Sequence, residues 1–178
     1  MTLDIVIRMR GIWMTMKLSL PPLLISCFFA FLLSSPYAIA LSTNITLSAH
    51  QANGKKVELT VSLEQIEQLP QTIITTQLPW INGQAAFKGV KLSTLLEMHS
   101  IKPSLIRLKA LNDYTTEVTW QEMLQYEPII AIKKDEQYLK IRDYGPFWLI
   151  FPLDQYAELQ QTTYLAKMIW QLESIKVE

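Results

Sequence analysis

Beyond residue 40 the chain contains no cysteine. The only one in its 178 residues, Cys27, lies in an apolar N-terminal run. Whatever the remainder folds into has no disulfide staple, iron–sulfur cluster or thiolate-held metal to order it, so apolar burial must do that work. The material is present, with 49% hydrophobic against 18% charged residues. Basic and acidic side chains balance at 16 each, and no basic block marks a nucleic-acid surface.

Residues 1–40 read as a signal peptide. Lys17 supplies the positive charge, and Leu18 to Leu33 is almost wholly apolar. Ser34-Ser35-Pro36 breaks that run, and Ala38-Ile39-Ala40 puts small residues before a cut after Ala40. The apolar stretch is shorter than the roughly 20 residues that span a bilayer. Met16-Lys17 offers an alternative start, which makes residues 1–15 an extension. Two other readings stay open: an uncleaved anchor, and a lipoprotein box at Leu24-Ile25-Ser26-Cys27, against which the greasy residues after Cys27 speak. Cleavage after Ala40 leaves residues 41–178, enough for a single domain with one core. Arg8, Arg10, Lys17 and Asp4 leave with the signal, so 13 basic residues then face 15 acidic ones. Export without disulfides points to a bacterial periplasm.

Along 41–178, short strands and short helices interleave. Val57 to Val61 alternates with period two, as a half-buried strand does. Ser62 is placed to cap a helix through Leu69, which Pro70 ends. Thr72 to Thr76 is β-branched and reads as a strand, and Pro79 to Gly83 as a turn. Ser93 is expected to cap a helix carrying Leu95, Leu96 and Met98. Ser104 to Leu111 and Tyr114 to Val118 read as strands around an Asn112-Asp113 turn. Thr119 and Glu122 form a capping box for a helix to Tyr126. Pro128 to Lys133 and Phe147 to Phe151 read as apolar strands, Asp154 to Leu159 as helical, and Met168 to Val177 as the closing strand. No regular βαβ period is present, so the expected class is α+β: a mixed β-sheet with short interleaved helices.

Catalytic motifs are scarce. His50 and His99 have no acid or second histidine at ligand spacing, and there is no Gly-x-Ser-x-Gly, no phosphate-cradling glycine loop and no His-Glu-x-x-His. Asp113 and Glu117 lie four apart on a turn–strand junction, as a carboxylate pair or as solvated charges. Arg142-Asp143-Tyr144 reads as a surface ion pair or as an anion-binding arginine at a cleft. Of Trp80, Trp120, Trp148 and Trp170, Trp80 in its Pro-Trp turn is the candidate for lining a pocket.

Four segments together resemble the molybdopterin-binding domain of the sulfite oxidase family, and more closely its small secreted relatives. The first is Thr75-Thr76-Gln77-Leu78-Pro79-Trp80 followed by Phe87-Lys88-Gly89-Val90-Lys91-Leu92-Ser93-Thr94-Leu95-Leu96. The second, Ala110-Leu111-Asn112-Asp113-Tyr114, is similar to an Ala-x-Asp-Gly-Tyr turn that has lost its glycine. The third is Asp143-Tyr144-Gly145-Pro146-Phe147-Trp148-Leu149-Ile150-Phe151-Pro152, and the fourth the closing strand Ile169 to Val177 with Trp170. The resemblance covers about residues 55 to 178 and implies that family's fold.

The departures bear on function. In the enzymes of that family a cysteine thiolate just after the strand matching Thr72 to Thr76 binds molybdenum; here stand Thr75, Thr76, Gln77 and Leu78. A neutral hydroxyl does not replace a soft anionic sulfur. The arginine of the Gly-x-Pro strand is replaced by Trp148, and the Tyr-Gly-x-Lys segment has at best an echo in Tyr164-Leu165-Ala166-Lys167. The expectation is therefore a periplasmic, non-catalytic module with no cofactor, binding a small ligand or a protein partner through the former cofactor cleft. Trp80, Asp113, Tyr114, Arg142, Tyr144 and Trp148 are its candidate ligand-binding residues. Two alternatives stand: a molybdopterin-dependent oxidoreductase, and an accessory partner of a membrane sensor or redox complex.

Overall fold

The computed structural model describes residues 2–9, 12–19, 43–50, 56–101 and 104–178. Most of the expected signal peptide, with Cys27 and the cut after Ala40, lies outside the described residues. The backbone divides into two units, Met1–Leu41 and Ser42–Glu178. In the first, β1 (Thr2–Met9) pairs antiparallel with β2 (Ile12–Ser19), from Thr2 opposite Ser19 to Met9 opposite Ile12.

The second unit holds two five-stranded sheets and a few short helices, which fits the α+β class. One sheet runs β4 (Lys56–Ser62), β3 (Asn44–His50), β12 (Leu172–Val177), β7 (Leu105–Ala110), β8 (Thr115–Thr119). It is antiparallel except where β12 lies parallel to β3. Its strands bury alternate residues: Ile45, Leu47 and Ala49 in β3, Ile106, Leu108 and Ala110 in β7. Charges occupy the opposite face, where Arg107 pairs with Glu117 at 2.8 Å and Glu178 at 3.0 Å. That is the pattern of a sheet with one wet side.

The other sheet is fully antiparallel: β5 (Gln71–Gln77), β6 (Gln84–Lys91) and β9 (Ile129–Lys134), with β10 (Gln137–Tyr138) and β11 (Trp148–Ile150) both against β9. Ile129 to Ile132 and Trp148 to Ile150 are buried without alternation, so both faces of these strands are covered. Each such aliphatic side chain contributes about 1.5–3 kcal/mol.

The sheets are joined by the chain on either side of β11 and before β12. Leu149 N–H donates to Ile169 O at 2.9 Å, Leu172 N–H to Phe147 O at 3.1 Å, and Gln171 N–H to Tyr144 O at 3.1 Å. Trp148 forms an isolated bridge with Trp170. Residues 168–170 thus pair with β11, and the closing strand begins at Leu172 rather than at the expected Met168.

Among the described residues four α-helices fill the connections: α1 (Leu63–Gln68), α2 (Leu92–Met98), α3 (Trp120–Tyr126) and α4 (Thr162–Lys167). Ser62 and Thr119 cap α1 and α3 through complete capping boxes with Gln65 and Glu122. Ser93 does not cap α2. The helix starts at Leu92, two residues before a Ser93 cap would begin it, and Leu92 N–H is satisfied by Pro128 O at 2.9 Å, so a tertiary bond replaces the side-chain cap. Asp154 to Leu159 is a turn followed by a 3₁₀ turn, Ala157–Gln160, and the α-helical segment comes later, at α4.

Candidate functional site

The β7–β8 hairpin places the first candidate residues. Ala110 N–H donates to Tyr114 O at 2.9 Å, and Asp113 N–H to Ala110 O at 3.1 Å. Asn112 Oδ1 accepts from Tyr114 N–H at 3.2 Å, and Asp113 sits in the left-handed region at φ 65°. Asx bonding and a left-handed residue are what so tight a turn requires. Leaving the turn, the Tyr114 hydroxyl donates to Ala166 O of α4 at 2.9 Å.

Between that hairpin, α4 and the Trp80 turn lies a cleft of about 440 Å³, within the range of small-molecule sites. Trp80, Tyr114, Leu165, Met168 and Trp170 line it, together with the polar residues Asn112 and Thr162. Trp80 and Trp170 meet edge to face at 5.7 Å. Apart from the Tyr114 phenol, no ionisable side chain lines it among the described residues. Neighbouring charges are engaged elsewhere. Lys167 pairs with Glu122 at 2.5 Å, and Lys109 with Asp113 at 2.7 Å. The Lys109 hydrogen bond and charge hold the Asp113 carboxyl below its ordinary range, and the same contact raises Lys109.

The six candidates therefore separate. Trp80 and Tyr114 line this cleft. Asp113 adjoins it in sequence, but its side chain is exposed and paired with Lys109. Arg142 and Tyr144 line a different cleft, of about 450 Å³, with Lys134, Tyr138 and Ile81. There Arg142 Nε lies 3.5 Å from Asp143 with 78% of its side chain exposed, an ordinary surface pair. Trp148 lines neither. It has no exposed surface, and its indole N–H donates to Met168 O at 3.0 Å. A role stacking on a ligand is corrected accordingly: the apolar run Phe147 to Phe151 is buried throughout, with β11 at its centre, and its tryptophan belongs to the core. Trp148 instead backs the site, with Trp80 at 6.2 Å, Tyr144 at 4.7 Å, Phe87 at 5.5 Å and Trp170 at 6.4 Å.

Asp113 and Glu117 do not form a carboxylate pair; each has its own cation, Lys109 and Arg107. Trp170, Met168 and Leu165 are cleft residues that sequence reasoning did not single out. Their one signal is the tryptophan of the closing segment, which reads equally well as core.

The residues where the resembling enzymes place their thiolate do not fit a molybdenum–pterin centre. Thr76 is fully buried and its Oγ1 accepts from Asp154 N–H at 3.3 Å; Leu78 is buried and Thr75 faces solvent. None offers a soft anionic donor. The adjoining cleft, about 330 Å³, carries the Asp154 carboxylate and, among the described residues, no cation to hold a pterin phosphate. Asp154 Oδ2 instead accepts from Gln77 N–H at 3.1 Å and Gln84 Nε2 at 3.0 Å. Among the described residues no cluster of histidine, cysteine, aspartate and glutamate is placed to hold a metal, and no helix is long and apolar enough to cross a membrane.

No protein-family model and no curated protein matches the chain.

Proposed function

We propose that this chain is a non-catalytic binding module of the sulfite-oxidase molybdopterin-domain type, exported to the periplasm, that takes a small ligand in the cleft between Trp80, Tyr114, Trp170 and α4. One observation carries the reading. The cleft is large enough for a small molecule, and its walls are aromatic and aliphatic. Among the described residues its only ionisable group, the Tyr114 phenol, is already spent on a backbone carbonyl. Such a wall holds a molecule and offers no general base, nucleophile or metal ligand to transform it. The kinship is supported by the α+β layout and by the Ala110–Tyr114 turn, where Asp113 stands left-handed at the position of the resembling turn's glycine. Export is supported by the residue pattern from Lys17 to Ala40.

The test is co-purification. Protein isolated from its own source is measured by native mass spectrometry and solvent extraction. A discrete small molecule is expected, its occupancy falling sharply in Trp80→Ala. Molybdenum and pterin in stoichiometric amount would overturn the reading in favour of an oxidoreductase. Stable capture of a membrane protein, with no small molecule, would favour an accessory role.

A further inference from the structure

We infer that the ligand held in this cleft is an aromatic molecule with no anionic group, its ring against Trp80 and Trp170 and a polar end toward Asn112 and Thr162. The inference rests on the binding reading above and names the chemistry of its ligand. Charge decides first. An anionic group brought into the cleft would lose water and find no counter-ion, because no lysine, arginine or histidine lines it among the described residues. The nearest ionic side chains along the chain do not compensate, since Lys167 is bound to Glu122 and Asp113 to Lys109.

Shape and surface decide next. Trp80 and Trp170 meet edge to face, so they are not stacked on one another and each keeps a ring surface outside their mutual contact. Tyr114 and Met168 line the same space. Aromatic rings gain from such partners beyond the area they bury. The polar groups are sparse and lie at exposed positions: Asn112, whose Oδ1 is committed to Tyr114 N–H but whose amide NH₂ remains to donate, and the Thr162 hydroxyl. They suit a carbonyl, ether or hydroxyl on the ligand, not a carboxylate or phosphate.

Two dyes with the same aromatic body separate the alternatives. N-phenylnaphthylamine is neutral, and anilinonaphthalene sulfonate differs from it by one sulfonate. Full-length mature protein is titrated with each, following dye emission and quenching of tryptophan. The expected result is one neutral dye per chain, with the sulfonated dye at least about tenfold weaker. Trp80→Ala should weaken the neutral dye about tenfold. Should Trp80→Ala fold poorly, Ala166→Leu serves: it enlarges an exposed helical residue that lines the cleft and disturbs no core, and it should block the dye. Equal affinity for the sulfonated dye overturns the inference, as does neutral-dye binding that Ala166→Leu leaves unchanged. Binding of neither dye overturns it too. In each case the co-purification measurement still decides the binding reading separately.

Discussion

Glu122 of α3 and Lys167, the last residue of α4, form an ion pair in which both side chains are about five-sixths withdrawn from solvent, at 17% and 16% exposure. The same carboxylate accepts from Thr119 N–H at 2.9 Å and Thr119 Oγ1 at 3.0 Å, so one side chain both caps α3 and holds the end of a cleft-lining helix. Burial pushes the Glu122 carboxyl up, but the Lys167 hydrogen bond, the Thr119 bonds and the lysine charge outweigh it and leave the group below its ordinary value. A carboxyl depressed in the folded state contributes stability that is full above its unfolded pKa, near 4.3, and is lost as pH falls through the lower folded value. Glu122→Gln should therefore cost about 2 kcal/mol at neutral pH. The gap in Tm between wild type and variant should close on titration below about pH 4. A gap that stays constant from neutral to acid pH would show that the pair contributes nothing pH-dependent.

Gly89 carries a second prediction. It sits where the β6–β9 register shifts, and a Cβ there would lie 2.0 Å from Ile130 O and 2.6 Å from Ala131 Cα. Both neighbours are backbone of the buried central strand, so neither can swing aside. Gly89→Ala should destabilise by about 3 kcal/mol or more, the upper range for overpacking. Urea unfolding measures it. A loss under about 1 kcal/mol would mean that β6 and β9 are not this close.

Such pairing is not written in residue types, and that marks the boundary of what the sequence makes legible. Local signals act locally: Thr119 with Glu122, Ser62 with Gln65, and the alternation of Ile106, Leu108 and Ala110 are each decided within a few residues, and the structure has each in place. The strand β3 alternates as plainly through Ile45, Leu47 and Ala49, yet its order comes from β12 at the far end of the chain. The start of α2 escapes a cap rule because Pro128, distant in sequence, supplies the acceptor. The candidate site divides along the same line. Trp80 is marked by its Pro-Trp turn. Trp170 reaches the cleft only because residues 168–170 leave the closing strand to pair with β11, a crossing made with Tyr144 and Gln171 at φ 70° and 51°. Neither residue type announces such a backbone.

The left-handed Asp113 yields a third prediction. A non-glycine residue there bears a conformational cost that glycine does not, and its ion pair with Lys109 is exposed and worth little. Asp113→Gly should leave stability unchanged or raise it by up to about 1 kcal/mol. Asp113→Ala, which has the Cβ but neither the local hydrogen bonding nor the charge, should lower it by about 1 kcal/mol. Thermal unfolding of the two variants side by side tests the sign. Similar destabilisation by both would mean that the carboxylate they share the loss of, not the backbone, holds this turn and with it Tyr114, and a larger loss for glycine than for alanine would mean that residue 113 bears no left-handed cost.

Trp148 and Trp80 touch one another, yet they should fail in different ways when truncated. Trp148 is fully buried among Phe87, Tyr144, Trp80 and Trp170, and its indole N–H is committed to Met168 O. Trp148→Ala leaves a cavity and an unpaired carbonyl, at a cost of about 3–5 kcal/mol, enough to unfold a domain of ordinary stability or to lower its Tm by more than about 10 °C. Trp80 is only partly buried and forms a cleft wall, so Trp80→Ala loses less packing, about 1–2 kcal/mol. Binding should be lost in a protein that still unfolds cooperatively. Calorimetry on both variants, with the neutral-dye titration on Trp80→Ala, separates the roles. A Trp80→Ala protein as unstable as Trp148→Ala would place both rings in the core and remove the aromatic wall from the cleft.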